Sequence, residues 1–305
     1  MWCPNRVPRW RRRRAGERAA CHERKKRIPH CTNVSHIVGC VSETSVSAPK
    51  GAQTLLNGLG LVRWVQRGVA DLPGLQRASG LPRSTVHRLV QALRSEGYLR
   101  DAPSGLALGP TLIELGFASL HANPLSSVAA PHLQRLADEV LDTVHLAVRD
   151  LGSVLYLAKI PGQRGAEMRS RVGLRMPLTR TGIGKALLLQ AGPERWAELW
   201  REESPADATA ASPAARVAGD DAQGDFVARM EHYRRGGYSY DMEENEPGIR
   251  CVAAPVLDAL GGVAGAISVS ATAPYMPADR MRALVPVVQA VAADIAADMG
   301  YRGKV

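Results

Sequence analysis

Cysteine is scarce and badly placed for cross-linking. Of the five cysteines, Cys3, Cys21, Cys31 and Cys40 lie near the N-terminus, and Cys251 stands alone in an apolar run. That excludes the disulfide framework of a small secreted domain. No apolar segment follows the N-terminal arginines, so a secretory signal is not expected. The longest apolar stretch, Cys251 to Ala273, is interrupted by Pro255, Asp258 and glycines and makes a poor transmembrane helix. No membrane association is expected, and a reducing cytoplasm is the expected setting. Also missing are a carboxylate dyad, a glycine-rich phosphate loop and paired metal-ligand spacings. No catalytic residue, metal or cofactor is therefore assigned.

Acid is scarce only in the first third of the chain. Residues 1–50 carry twelve Lys/Arg against three acids, residues 51–113 seven against three, and residues 114–305 twenty against twenty-three. The net charge of +10 thus sits at one end of a modular chain of 305 residues, long enough for two domains. In the first 50 residues the blocks Arg11–Arg14 and Arg24–Arg27 lack apolar periodicity, which reads as a disordered basic extension. A phosphate-binding arm is one alternative. A zinc knot from Cys21, His22, His30, Cys31, His36 and Cys40 is another, unsupported by short paired cysteine spacing. The shift in composition near position 45 favours an upstream extension, with the working start near Val41 or Val46.

From residue 54 the pattern becomes helical. Leu55, Leu56, Leu59, Val62 and Val65 predict a first helix with an apolar stripe, stopped at Gly68. A short second helix is expected over 71–78. Gly80-Leu81-Pro82 then turns the chain into a third helix over 83–96, whose inner stripe is Val86, Leu89, Val90 and Leu93. Its opposite face carries Ser84, Arg88, Gln91 and Ser95, with His87 beside them. Helix, glycine turn and polar-faced helix form a helix-turn-helix plan, whose second helix fits the major groove. Arg88 offers two donors to guanine and Gln91 suits adenine, while Arg83, Ser84 and Thr85 at the helix start suit phosphate or base edges. Tyr98 to Leu108 reads as a hairpin wing, with Arg100 near the DNA backbone. A merely solvated polar face is the plainer alternative.

These residues also carry a resemblance. Gly80-Leu81-Pro82-Arg83-Ser84-Thr85-Val86-His87-Arg88-Leu89, followed by Glu96-Gly97-Tyr98-Leu99, resembles the DNA-binding module of the IclR family of bacterial transcriptional regulators. Gly182 to Leu188, Gly237 to Glu244, Gly248 to Val256 and Ala266 to Ser270 resemble that family's effector domain, in the expected order. The resemblance implies an α+β chain. Residues 51–113 would form a winged helix-turn-helix, 114–123 a linker helix and 124–305 a GAF-like α/β effector-binding domain. It also implies binding to double-stranded operator DNA, a homodimer or homotetramer, and a small organic acid as effector.

The residues themselves support an α+β C-terminal half. Helices are expected over 112–120, ended by Asn123-Pro124, over 128–141 and over 277–299. Hairpins are expected over 144–158 and 249–271, and Glu202 to Gly224 reads as a variable loop. Ser268 and Ser270 lie two apart on a strand, so both hydroxyls share one face. With Cys251 and Asp241 they can surround a small polar ligand. The resemblance places Asp241, Cys251, Ser268 and Ser270 on effector-contacting positions, with Gly182 at a nearby helix start suited to a carboxylate. Serines bonded to backbone and a cysteine acting as a small hydrophobe are the bland reading. Five arginines, Arg164, Arg169, Arg171, Arg175 and Arg180, either attract an anionic effector or decorate a solvated hairpin. Two further functions stay open: an enzyme using Cys251 with His145 or His232 as base, and a metabolite-sensing protein whose helix-turn-helix contacts protein instead of DNA.

Overall fold

The structure is a computed structural model, and it describes residues 52–164, 168–203 and 222–303. The basic extension, its zinc-knot alternative and the proposed working starts all lie outside the described residues.

Three helices and a two-stranded ribbon come first: α1 (Gln53–Gln66), α2 (Leu72–Ser79), α3 (Arg83–Ser95), β1 (Leu99–Ala102) and β2 (Gly105–Leu108). Leu61, Val65, Leu75, Val86, Leu89, Val90 and Leu99 form their buried core. The stripe expected on α1 is corrected here. Leu55, Leu56 and Leu59 are exposed, Leu55 at 64%, and the buried face is Gly58, Leu61 and Val65. Gly58 faces Leu89 of α3, and a Cβ there would stand in ordinary contact at 3.9 Å. Asp71 caps α2 by accepting from the Gly74 N–H, and Gly80 ends it in the left-handed region at φ 69°. The ribbon docks on the α1–α2 connection: the Leu106 N–H donates to the Ala70 carbonyl (2.7 Å). A Cβ on Gly105, at φ +109°, would collide with that same carbonyl.

Next come α4 (Pro110–His121) and α5 (Pro124–Val140). No residue of α4 is buried. Asn123 and Pro124, expected only to end α4, also begin α5, four residues earlier than the apolar pattern suggested. The Asn123 side chain accepts from the Leu125 N–H (3.1 Å), and Pro124 occupies the first turn.

The rest is a six-stranded sheet with helices on both faces: β3 (Thr143–Asp150), β4 (Ser153–Ile160), β5 (Arg175–Met176), α6 (Gly182–Leu187), α7 (Pro193–Glu203), α8 (Ala222–Gly236), β6 (Ser239–Met242), β7 (Ile249–Leu257), β8 (Val263–Thr272) and α9 (Ala278–Asp298). The strand order is β5-β4-β3-β8-β7-β6, antiparallel throughout, and it includes the two expected hairpins as β3–β4 and β7–β8. Glu202 and Glu203 belong to α7 and Ala222 to Gly224 belong to α8, so the expected loop is shorter; residues 204–221 lie outside the described residues.

Strand parity sorts the side chains. Val144, Leu146, Val252, Ala254, Val256, Ile267 and Val269 face α5 and α9 in one core. The opposite parity brings Ala147, Ala253 and Ala266 against Ile183, Leu187, Trp196 and Phe226 in a second. Among the described residues no helix is long and apolar enough to cross a membrane.

Candidate functional site

On α3 the buried Val86, Leu89 and Val90 leave Arg83, Ser84, His87, Arg88 and Gln91 exposed, with Thr85 half-buried. No hydrogen bond or ion pair within the described residues engages their side chains. Free donors and acceptors on one turned-out helix face are available to a duplex groove. Arg100 is exposed on β1, but its Nε donates to the Leu108 carbonyl across the ribbon (3.2 Å). That leaves its terminal nitrogens for phosphate. Arg94, which the sequence pattern did not single out, pairs with Asp101 and ties α3 to the ribbon.

The second candidate site lies on the α6 face of the sheet. Directly opposed residues of antiparallel strands share a face, and the register sets out two cross-strand rows. One row runs Asp241, Cys251, Ser270, Thr143; the other runs Ser239, Ala253, Ser268, His145, Lys159. Over them lies the start of α6. Thr181 caps that helix by accepting from the Gly184 N–H (3.0 Å), and Ser239 Oγ donates to the Gly182 carbonyl (2.7 Å). A Cβ on Gly182 would fall well inside 3.0 Å of Cys251 Sγ. Of the five expected effector residues, Gly182, Asp241, Cys251 and Ser270 therefore form one cluster, and Ser268 lies one row away.

The partners within this cluster revise its chemistry. Cys251 Sγ accepts from the Gly182 N–H and the Ser270 hydroxyl, and burial pushes its thiol up to about 12. It is a neutral packing atom, which removes the nucleophile of the enzyme reading. The α6 N-terminus was expected to offer donors to a carboxylate, yet Thr181 and Cys251 already occupy two of its N–H groups. Asp241 accepts from the Glu244 N–H (2.9 Å) and from the backbone of Glu243 and Asn245, shaping the turn after β6. Burial pushes its carboxyl up to about 6, against the pull of Lys185.

Lys185 was not singled out from the sequence, although it lies in the quoted Gly182 to Leu188 segment. It is 1% exposed and ion-paired to Glu244, and burial pushes it down to about 8. Arg229 of α8 also reaches Glu244 (3.3 Å), Arg169 reaches Glu246 (3.7 Å), and Arg250 holds Glu243 (2.8 Å). The turn after β6 is thus fastened by cations from several elements. The other arginines near α6 are mostly structural ties: Arg164 donates to the Val140 carbonyl (2.9 Å), Arg175 pairs with Asp150, and Arg180 donates to the Glu203 carbonyl (3.5 Å).

His145 entered the sequence reading only as a base for Cys251, but it lies two strands away. It is 2% exposed, and its Nε2 is 2.7 Å from Ser170 Oγ. Burial, with Lys159 nearby, pushes it down to about 3, so the ring is neutral. A histidine of the parity opposite to Val144 and Leu146 was the available signal. Tyr156, also missed, lies beside it with ring centroids 5.0 Å apart.

Comparison with known proteins agrees with both halves. The IclR helix-turn-helix domain matches residues 54–103, and the C-terminal domain of the bacterial transcriptional regulator IclR matches residues 117–297. The chain is 30% identical over 259 residues to the HTH-type transcriptional regulator KdgR of Dickeya chrysanthemi, covering 84% of this chain and 81% of that one. A transcriptional regulator from Rhodococcus sp. RHA1 superposes with a TM-score of 0.69 at 26% identity, covering 81% of this chain and 98% of that one. An IclR homologue from Microbacterium hydrocarbonoxydans, solved with 4-hydroxybenzoate, gives 0.67 at 26% identity, covering 80% and 98%. The chain belongs to the IclR family of bacterial transcriptional regulators, DNA-binding proteins and not enzymes.

Proposed function

We propose that this protein is a ligand-responsive regulator that reads operator DNA as a dimer and senses a small organic acid. Residues 51–113 read the duplex, 114–123 link, and 124–305 sense. The carrying observation is the outer face of α3, where Arg83, Ser84, His87, Arg88 and Gln91 are exposed and unengaged beside the ribbon that carries Arg100. With α3 in the major groove, Arg88 and Gln91 meet base edges, Arg83, Ser84 and Thr85 meet the backbone at the helix start, and Arg100 meets phosphate from the ribbon.

Dimerisation is supported by apolar surface that the single chain leaves uncovered. Leu55, Leu56 and Leu59 on α1 and Ile113, Leu115 and Phe117 on α4 are exposed. A largely apolar helix with no buried residue calls for a partner surface, and a second copy supplies an identical one.

Sensing is assigned to the α6 face, at Gly182, Asp241, Cys251, Ser268 and Ser270. Because the Gly182–Cys251 end is closed by its own bonds, the ligand sits toward Ser268 and His145. The 4-hydroxybenzoate held by the Microbacterium relative supports an organic acid as ligand class. Binding shifts the population between two arrangements of the dimer and so changes the spacing of the two α3 helices. Footprinting on the DNA flanking the protein's own gene, with organic acids added, tests this directly. A protected site whose occupancy responds to an acid supports the proposal. No preference over random duplex at moderate salt refutes it, and leaves the helix-turn-helix as a protein-contact module.

A further inference from the structure

We infer that His145 is a specificity-determining residue of the sensing site, recognising an uncharged oxygen function, hydroxyl or carbonyl, on an organic acid bound over the sheet. The inference rests on the sensing reading above.

His145 lies in the middle of the polar floor. Its Cα is opposite Ser268 on one side and Lys159 on the other, and Tyr156 flanks its ring. At roughly 4.8 Å per strand the row from Ser268 to Lys159 spans about 10 Å. One ring nitrogen is engaged, since Nε2 meets Ser170 Oγ. The other, Nδ1, is buried and has no partner among the described residues. Natural proteins rarely leave a buried nitrogen unsatisfied, and such an atom in a polar layer marks a place where another molecule completes the bond.

The chemistry of the partner follows from the ring. A neutral imidazole offers one donor and one acceptor, and a serine hydroxyl can serve as either. When Ser170 donates to Nε2, Nδ1–H donates to a carbonyl; when Nε2–H donates to Ser170, Nδ1 accepts from a hydroxyl. Ser170 is therefore the positioning residue that lets one atom read both functions. A carboxylate is better served by charged or multiple donors, so the group at Nδ1 is a second, uncharged oxygen of the ligand. Lys159, which would otherwise attract the acid group here, has its ammonium committed to the carbonyls of Met168 (2.7 Å) and Ser170 (2.8 Å).

The test uses the full chain and matched probes: benzoate with 4-hydroxybenzoate, and pentanoate with 5-hydroxypentanoate and 4-oxopentanoate. The wild type is expected to bind an oxygenated member about tenfold more tightly than its plain acid, the worth of one good hydrogen bond. His145→Phe loses the preference, read as the ratio of the two affinities in each matched pair. His145→Asn, whose amide lies near the place of Nδ1, keeps most of it, and Ser170→Ala weakens it by orienting the ring less well. An undiminished preference in His145→Phe overturns the inference alone. A wild type that binds none of the probes removes the sensing reading, and the inference falls with it.

Discussion

The contact between Gly182 and Cys251 makes a quantitative demand. A methyl on Gly182 would lie well inside the 3.4 Å at which ordinary contact with Cys251 Sγ begins, and 3.1 Å from the Asp241 nitrogen. Overfilling a packed core costs about 1–3 kcal/mol, and alanine in place of glycine in a helix returns up to about 1 kcal/mol. Gly182→Ala should therefore destabilise by about 1–2 kcal/mol, through crowding and not through backbone conformation. Cys251→Ala alone removes a buried sulfur and leaves the Gly182 N–H unsatisfied, costing about 1–3 kcal/mol. In the double variant the new methyl occupies the space the sulfur left. Its cost should fall short of the sum of the single costs by at least about 1 kcal/mol. Urea unfolding of the four proteins, followed by the fluorescence of buried Trp196 beneath α6, measures that coupling. Single costs that add to within about 0.5 kcal/mol would show that the two residues do not share one space, and the close packing argued for the α6 start would be wrong.

Other outcomes follow from the same geometry. Arg88→Ala should weaken binding to the cognate operator by about 1–3 kcal/mol and relax one base position; in a gel-shift series, an equal loss on every sequence would make Arg88 a phosphate contact. Phe117→Glu should shift the protein toward monomer in sedimentation and lower operator affinity, because it places charge on the apolar surface proposed to pair; an unchanged assembly state would place the interface elsewhere. His145 is held neutral down to about pH 3, below the ordinary histidine value of 6.5, so the unfolded chain takes up its proton first as pH falls. Its contribution to stability is complete above pH 6.5 and is lost between 6.5 and 3, by about 2 kcal/mol at pH 5. Urea midpoints at pH 7.5 and 5.0 should therefore fall further for the wild type than for His145→Phe, and equal falls would refute a buried neutral ring.

Much of this was legible because local rules and tertiary packing agreed. The α3 stripe of Val86, Leu89 and Val90 was visible as periodicity and is the buried face. The ribbon was visible from Pro103-Ser104-Gly105 between two short runs, and the long hairpins from parity and their glycine turns. On α1 the pattern misled. Leu55, Leu56 and Leu59 satisfy helical spacing as well as Leu61 and Val65 do, and a single sequence cannot tell surface awaiting a partner from core. The candidate sensing site was half legible. The shared face of Ser268 and Ser270 followed from strand parity, whereas the closure of Cys251 on Gly182 depends on a contact between elements some 70 positions apart. The Lys185–Glu244 pair likewise joins residues 59 apart, and no local pattern announces it.

The ribbon is joined to α3 through Arg94 and Asp101 and to the α1–α2 connection through Leu106 and Ala70, over the core that Leu61, Leu75, Val86, Leu89 and Leu99 share. In the proposed dimer, an acid that moves the two units without remodelling either would leave each unit's grip on its half-site unchanged. The spacing of the two units along the duplex would then be the quantity the acid adjusts. Selection from random DNA, with and without an active acid, should then recover the same half-site letters in both cases and differ only in the number of base pairs between them.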